Sequence, residues 1–131
     1  MRKSRKDLKY TRNMTPTLKE LDVLWSKVIK LRAGMKSEYK HIEGSYLVAH
    51  HITGKNTLAR RYALENGVCI TTGQHHYVAH NTGRSAKFKA WALAKRGVTE
   101  EYLDIISRNT VDKFAVKLYL EQKIKEYEAD L

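Results

Sequence analysis

Apolar residues along this chain change their period several times, and each change predicts an element. From Leu18 to Leu31 they recur at helical spacing, through Leu21, Leu24, Trp25 and Val28. Thr17 stands at the N-cap position behind Pro16, Glu20 can close a capping box, and Gly34 is a stop signal. Residues 46–52 are rich in strand formers, and so are Val68 to Thr71. Residues 53–66 between them are polar and basic and read as a long functional loop, with Asn66-Gly67 marking a tight turn. Residues 35–45 read as irregular. Residues 75–81 read as a helix start, and Ala86 to Arg96 as a helix that Gly97 ends, with Phe88 and Trp91 apolar. Thr99 is placed to cap a short helix near 100–107. Thr110 is placed to cap a last helix near 111–128, with Phe114, Leu118 and Ile124 as its inner positions.

This order predicts an α+β fold with a small hairpin at its centre, flanked by an N-terminal helix and C-terminal helices. At 131 residues the chain fits one domain with a modest core, for which Trp25, Cys69, Phe88 and Trp91 are candidates. The organisation reads as a basic arm at 1–16, a central domain at 17–97 and a helical extension at 98–131.

Charge changes the picture. The net charge is +11, which on so small a chain points to a polyanionic partner, nucleic acid first and an anionic membrane surface second. Residues 1–40 hold 12 Lys and Arg against 4 Asp and Glu, and residues 41–97 hold 8 against 2, whereas residues 98–131 hold 5 against 8. The partner is therefore expected against the first two-thirds, with the arm ordering on a phosphate backbone. The single cysteine, Cys69, cannot form an intramolecular disulfide and reads as a buried strand residue, which fits a cytoplasmic protein. No apolar run is long enough to span a bilayer, and with nucleic acid ranked first no membrane partner is expected.

The candidate chemistry lies in histidine. Five of the six fall within residues 50–80: His50, His51, His75, His76 and His80. A lone histidine is most often an ordinary hydrogen-bonded residue, but a cluster at a strand end and a helix start is a candidate metal site. Neighbours on a strand point to opposite faces, so His50 and His51 can do different work. His76 and His80 stand at i and i+4, one above the other on a helix, whereas His75 is rotated by about 100°. Three neutral imidazoles leave coordination positions open for water and a phosphate oxygen.

These residues resemble a known motif. Ala49-His50-His51-Ile52, Arg61-Tyr62, Glu65-Asn66-Gly67-Val68-Cys69 and His75-His76-Tyr77-Val78-Ala79-His80 are similar to the HNH (ββα-metal) endonuclease motif, most of all to its phage-borne members. The resemblance covers residues 21–96 and implies that 17–97 is the nuclease domain. It implies that His50 ligates one divalent ion (Mg, Mn or Zn), that His51 is the general base, and that Asn66 orients His51 through a hydrogen bond. It implies that a last histidine completes the metal shell. Register from Asn66 favours His75, and helix geometry favours His76 with His80. The expected set is His50, His76 and His80, with His75 as the alternative to His76. Arg60 or Arg61 would contact a neighbouring phosphate, with Lys55 beside them. Many members carry two Cys-x-x-Cys pairs around a structural zinc. Here Ser37 and Lys40 stand at the first pair and Thr71–Gln74 or Thr72–His75 at the second, so no structural zinc is expected. The colicin-type members, with three histidine ligands and no structural zinc, are similar in this respect. The implied activity is DNA nicking with little sequence specificity by a monomer in a host cytoplasm, and phage packaging proteins are implied partners. The alternative is a non-catalytic zinc- and DNA-binding module.

Overall fold

The computed structural model describes residues 15–40 and 46–131. The basic arm expected at 1–16 lies outside these residues up to position 14, as do residues 41–45 of the irregular stretch.

The first helix, α1, runs Leu18–Arg32, with the Thr17 hydroxyl accepting from the Glu20 amide at 3.1 Å. Its inner face is Leu21, Trp25, Val28 and Ile29. Two antiparallel strands follow, β1 (Leu47–His51) and β2 (Gly67–Thr71), with His50 opposite Val68 and His51 opposite Gly67. The intervening segment carries a short helix, α2 (Leu58–Arg61), capped by Thr57, and a 3₁₀ turn, Leu64–Asn66. After β2 come a helical turn, Thr72–Gln74, and a π-helical turn, His75–Ala79. Then come α3 (Ser85–Arg96), α4 (Glu100–Ile106) and α5 (Lys113–Ala129). The chain is a mixed helix and strand protein of the α+β class.

Alternation along the strands divides the interior in two. Cys69 and the partly buried Leu47 and Ala49 face one core, built with Leu21, Trp25, Val28 and Ile29 of α1 and Leu120 and Ile124 of α5. Val68, Ile70 and Val48 face the other, with Phe88 and Ala92 of α3. Because both faces are covered, every residue of β2 is buried. Each fully buried aliphatic side chain in these layers contributes about 1.5–3 kcal/mol of transfer free energy.

Several boundaries differ from the expectation, each for a physical reason. Asn66-Gly67 makes no tight turn. Gly67 is extended at φ −132° and opens β2, because the connection from β1 is long enough to hold α2. The last helix is capped by Asp112 rather than Thr110: its carboxylate accepts from the amides of both Phe114 and Ala115. On α5 the stripe against α1 is Val116, Leu120, Ile124 and Tyr127. Phe114 and Leu118 lie off that stripe and are exposed, so of the three expected inner positions only Ile124 is buried.

Gly67 is where α1 comes closest to the sheet. A Cβ built there would lie 2.6 Å from Trp25 Cζ2 and 2.7 Å from Ile29 Cδ1. The Arg32 guanidinium fixes the same approach by donating to the Leu64 and Gly67 carbonyls at 2.8 and 2.7 Å. Gly67→Ala is expected to lower stability by about 1–3 kcal/mol through overpacking, measured by urea denaturation. An unchanged midpoint would show that α1 can retreat freely.

Candidate metal centre

His50 and His51 end β1 and leave on opposite faces. The His50 ring turns to the second core, its centroid 5.5 Å from that of Phe88. The His51 ring turns to α1 and stacks on Trp25 at 4.0 Å with 6° between the planes. Trp25 is itself held by its indole N–H, which donates to the Ala63 carbonyl at 3.2 Å.

The π-helical turn supplies the remaining imidazoles. The His80 amide donates to the His75 carbonyl at 3.2 Å, an i→i+5 bond. Such a turn sets the fifth residue, not the fourth, above the first. His75 and His80 therefore share a face, their Nε2 atoms 2.9 Å apart. Their ring centroids each lie 5.2 Å from that of His50. One ligand atom from each of His50, His75 and His80 lies within 4.8 Å of the others, so the three can hold a metal ion. His50 is the most enclosed, His75 half-buried and His80 exposed. The expected set of His50, His76 and His80 is corrected on one point: His76 is exposed and outside the cluster, and His75 takes its place. The i, i+4 argument assumed a regular α-helix, and this segment is not one.

His51 stays out of that cluster. Its Nε2 lies 2.9 Å from the Arg61 carbonyl. A carbonyl only accepts, so Nε2 carries the proton and Nδ1 of the neutral ring keeps its lone pair. Burial lowers the His51 pKa, the Arg61 carbonyl opposes this, and the Lys55 charge adds to the lowering. Burial and the neighbouring histidines push His50 down to about 3, and burial and His80 lower His75. His50, His51 and His75 are thus neutral at pH 7.

Asn66 does not reach the His51 ring, contrary to expectation. It is fully buried, and its Oδ1 accepts from the amide and hydroxyl of Thr53, each at 2.9 Å. Its Nδ2 donates to the carbonyls of Gly54 and Arg60, each at 3.1 Å. Asn66 thereby fixes the loop whose next carbonyl, Arg61, orients His51. Arg60 and Arg61 are also engaged within the protein. Arg60 pairs with Asp104, and Arg61 forks onto Asp22 at 2.9 and 2.5 Å. Lys55 makes no ion pair among the described residues and lines the hollow in front of His51, of about 560 Å³, with His50, His75 and His80. A second hollow, of about 390 Å³, adjoins on the far side of His50 and His80 and reaches Ser85 and Ala86 at the start of α3. The sequence reading missed Asp22 and the stacking role of Trp25. Their signal was faint: i, i+3 and i+4 spacing with Ser26 at the polar edge of α1.

The positions compared with cysteine pairs also meet. The buried Gln74 amide accepts from the Thr71 amide at 2.9 Å and the Ser37 hydroxyl at 2.5 Å, and donates to the Lys40 carbonyl at 2.9 Å. A hydrogen-bonded staple occupies that place.

No family model, curated protein or solved structure matches this chain. The candidate metal centre therefore rests on its own geometry.

His75→Ala should remove zinc or cobalt binding in titration calorimetry, whereas His76→Ala should bind like the wild type. The reverse pattern would restore the α-helical register. The lowered pKa values set a pH dependence as well. A histidine that protonates less readily folded than unfolded stabilises the native state above pH 6.5, and this contribution falls as pH drops from 6.5 toward 3. Metal-free protein should lose on the order of 1–2 kcal/mol from His50 between pH 7 and pH 5, and His50→Gln should flatten that slope in urea titrations.

Proposed function

We propose that this chain is a metal-dependent DNA endonuclease of the ββα-metal (HNH) type that nicks DNA with little sequence specificity. The observation that carries the reading is the pairing of two chemistries across one strand end. Three imidazoles converge on one side, and a separate imidazole with a free Nδ1 opens into the same hollow on the other. His50, His75 and His80 hold the divalent ion. When bound, the ion supplies charge stabilisation to the phosphate and to the leaving oxygen.

The remaining work falls to the protein. His51 Nδ1 takes the proton from the attacking water, and the Arg61 carbonyl on Nε2 stabilises the imidazolium that forms. Trp25 holds the ring in one plane through the step. Asn66 keeps the Arg61 carbonyl in place from a distance. Lys55 offers its ammonium to the substrate's phosphates, a role that Arg60 and Arg61 cannot share while they bind Asp104 and Asp22. The net charge of +11 suits a polyanionic substrate.

Plasmid relaxation with manganese, magnesium and zinc tests the reading. The wild type is expected to nick in at least one metal. His51→Ala should lower the rate by about 10²–10⁴-fold, the usual contribution of a general base, while metal affinity persists. His51→Ala cutting at the wild-type rate would remove His51 from its role. No nicking in any metal, with zinc and DNA binding retained, would replace the enzyme by a non-catalytic module.

A further inference from the structure

We infer that the solvent face of α1 is the track along which the DNA strand leaves the metal centre. The inference rests on the nuclease reading and adds a surface to it. A hollow of about 680 Å³ runs over α1, lined by Lys19, Val23, Lys27, Lys30 and Met35 together with Asp22 and Ser26. Asp22 and Ser26 also line the hollow that holds His50, His51, His75 and His80. The two depressions therefore adjoin at Asp22 and Ser26, and a chain seated at the histidines can pass from one to the other across α1.

The chemistry of that path fits a phosphodiester backbone. Lys19 and Lys30 are eleven residues apart, so they share a face of the helix and stand about 16 Å apart along its axis. That distance matches about five nucleotides at roughly 3.4 Å each along one strand. Neither lysine makes an ion pair among the described residues, while Lys27 between them pairs with Glu128 at 3.2 Å. The acidic group in the hollow, Asp22, is neutralised by Arg61 and also accepts from the Tyr62 hydroxyl at 2.8 Å. Apolar surface lies between the cations: Val23 is 63% and Met35 53% exposed. Met35 is held at φ +58°, uncommon for a residue with a side chain, at the end of this hollow. Cations spaced along an apolar floor suit phosphates alternating with sugar rings.

The test is binding of a fluorescent 20-base-pair DNA duplex by His51→Ala protein, with metal, across a salt series. Adding Lys19→Gln and Lys30→Gln removes two phosphate contacts, each worth about 0.9 in the slope of log affinity against log salt. The slope should fall by about 1.8, so that between 50 and 200 mM salt the parent loses about tenfold more affinity than the variant. Zinc affinity should be unchanged. Lys95→Gln with Lys125→Gln, exposed lysines lining none of these hollows, is the charge-matched control and should retain the parent slope. A parent slope in the Lys19/Lys30 variant, or an equal drop in the control, overturns the track and leaves the nuclease reading standing. A parent protein that binds no duplex at any salt overturns the nuclease reading itself.

Discussion

One backbone hydrogen bond decides the geometry of the histidine cluster. The His80 amide reaches the His75 carbonyl, five residues back. With an i→i+4 bond in its place, His76 would stand below His80, and His75 would be turned away by about 100°. The longer turn is anchored at its start: Thr71 and Gln74 form a reciprocal capping box, and the Gln74 amide is buried among Ser37, Thr71 and the Lys40 carbonyl. Such turns are costly in isolation and recur at functional sites. Here the compensation is visible, since Ala79 is buried in the core beside Phe88 while the two imidazoles meet above it.

The sheet makes the second division. A two-stranded ribbon is marginal alone, and this one is stable because helices cover both of its faces. Consecutive residues His50 and His51 are consequently committed to different layers. His50 belongs with α3, and its enclosure among other imidazoles keeps it unprotonated. His51 belongs with α1, and its ring plane is set by Trp25. The spacing between α1 and the sheet depends on Gly67, so one missing side chain governs how closely Trp25 approaches His51's partner position on β2. Packing and chemistry are coupled at this point.

Much of this was legible from residue order. Strand formers around His50 and His51, the helical period from Leu18 to Leu31, and the caps at Thr17, Thr99 and Gly97 are local signals, and the structure places elements there. That His50 and His51 face opposite sides of the sheet follows from strand alternation alone. What residue order did not carry was long-range. The π turn follows directly on the buried Gln74 network, two of whose partners, Ser37 and Lys40, lie more than thirty residues away. The fates of Arg60 and Arg61 depend on Asp104 and Asp22, on separate helices. The resemblance implied Asn66 as a partner for His51, yet the four hydrogen bonds of its side chain go to the loop. Phe114 and Leu118 share the apolar character of Leu120 but not its face.

The Gln74 staple also separates folding from metal chemistry. A structural zinc would bring its segments together by folding free energy that depends on the ion. In this chain the corresponding positions offer an amide, two hydroxyls and a backbone carbonyl, which satisfy one another. The lone thiol, Cys69, is no substitute ligand: burial pushes it up to about 11, and Glu38 accepts from its amide on one side. Among the described residues, one histidine cluster is competent for a metal, and it sits at the rim of the fold rather than between its layers. The cores on either side of the sheet are assembled from apolar contacts without it. An ion held by that cluster would therefore add to the strand end without being needed for either core, and the packing of α1 on the sheet is independent of it.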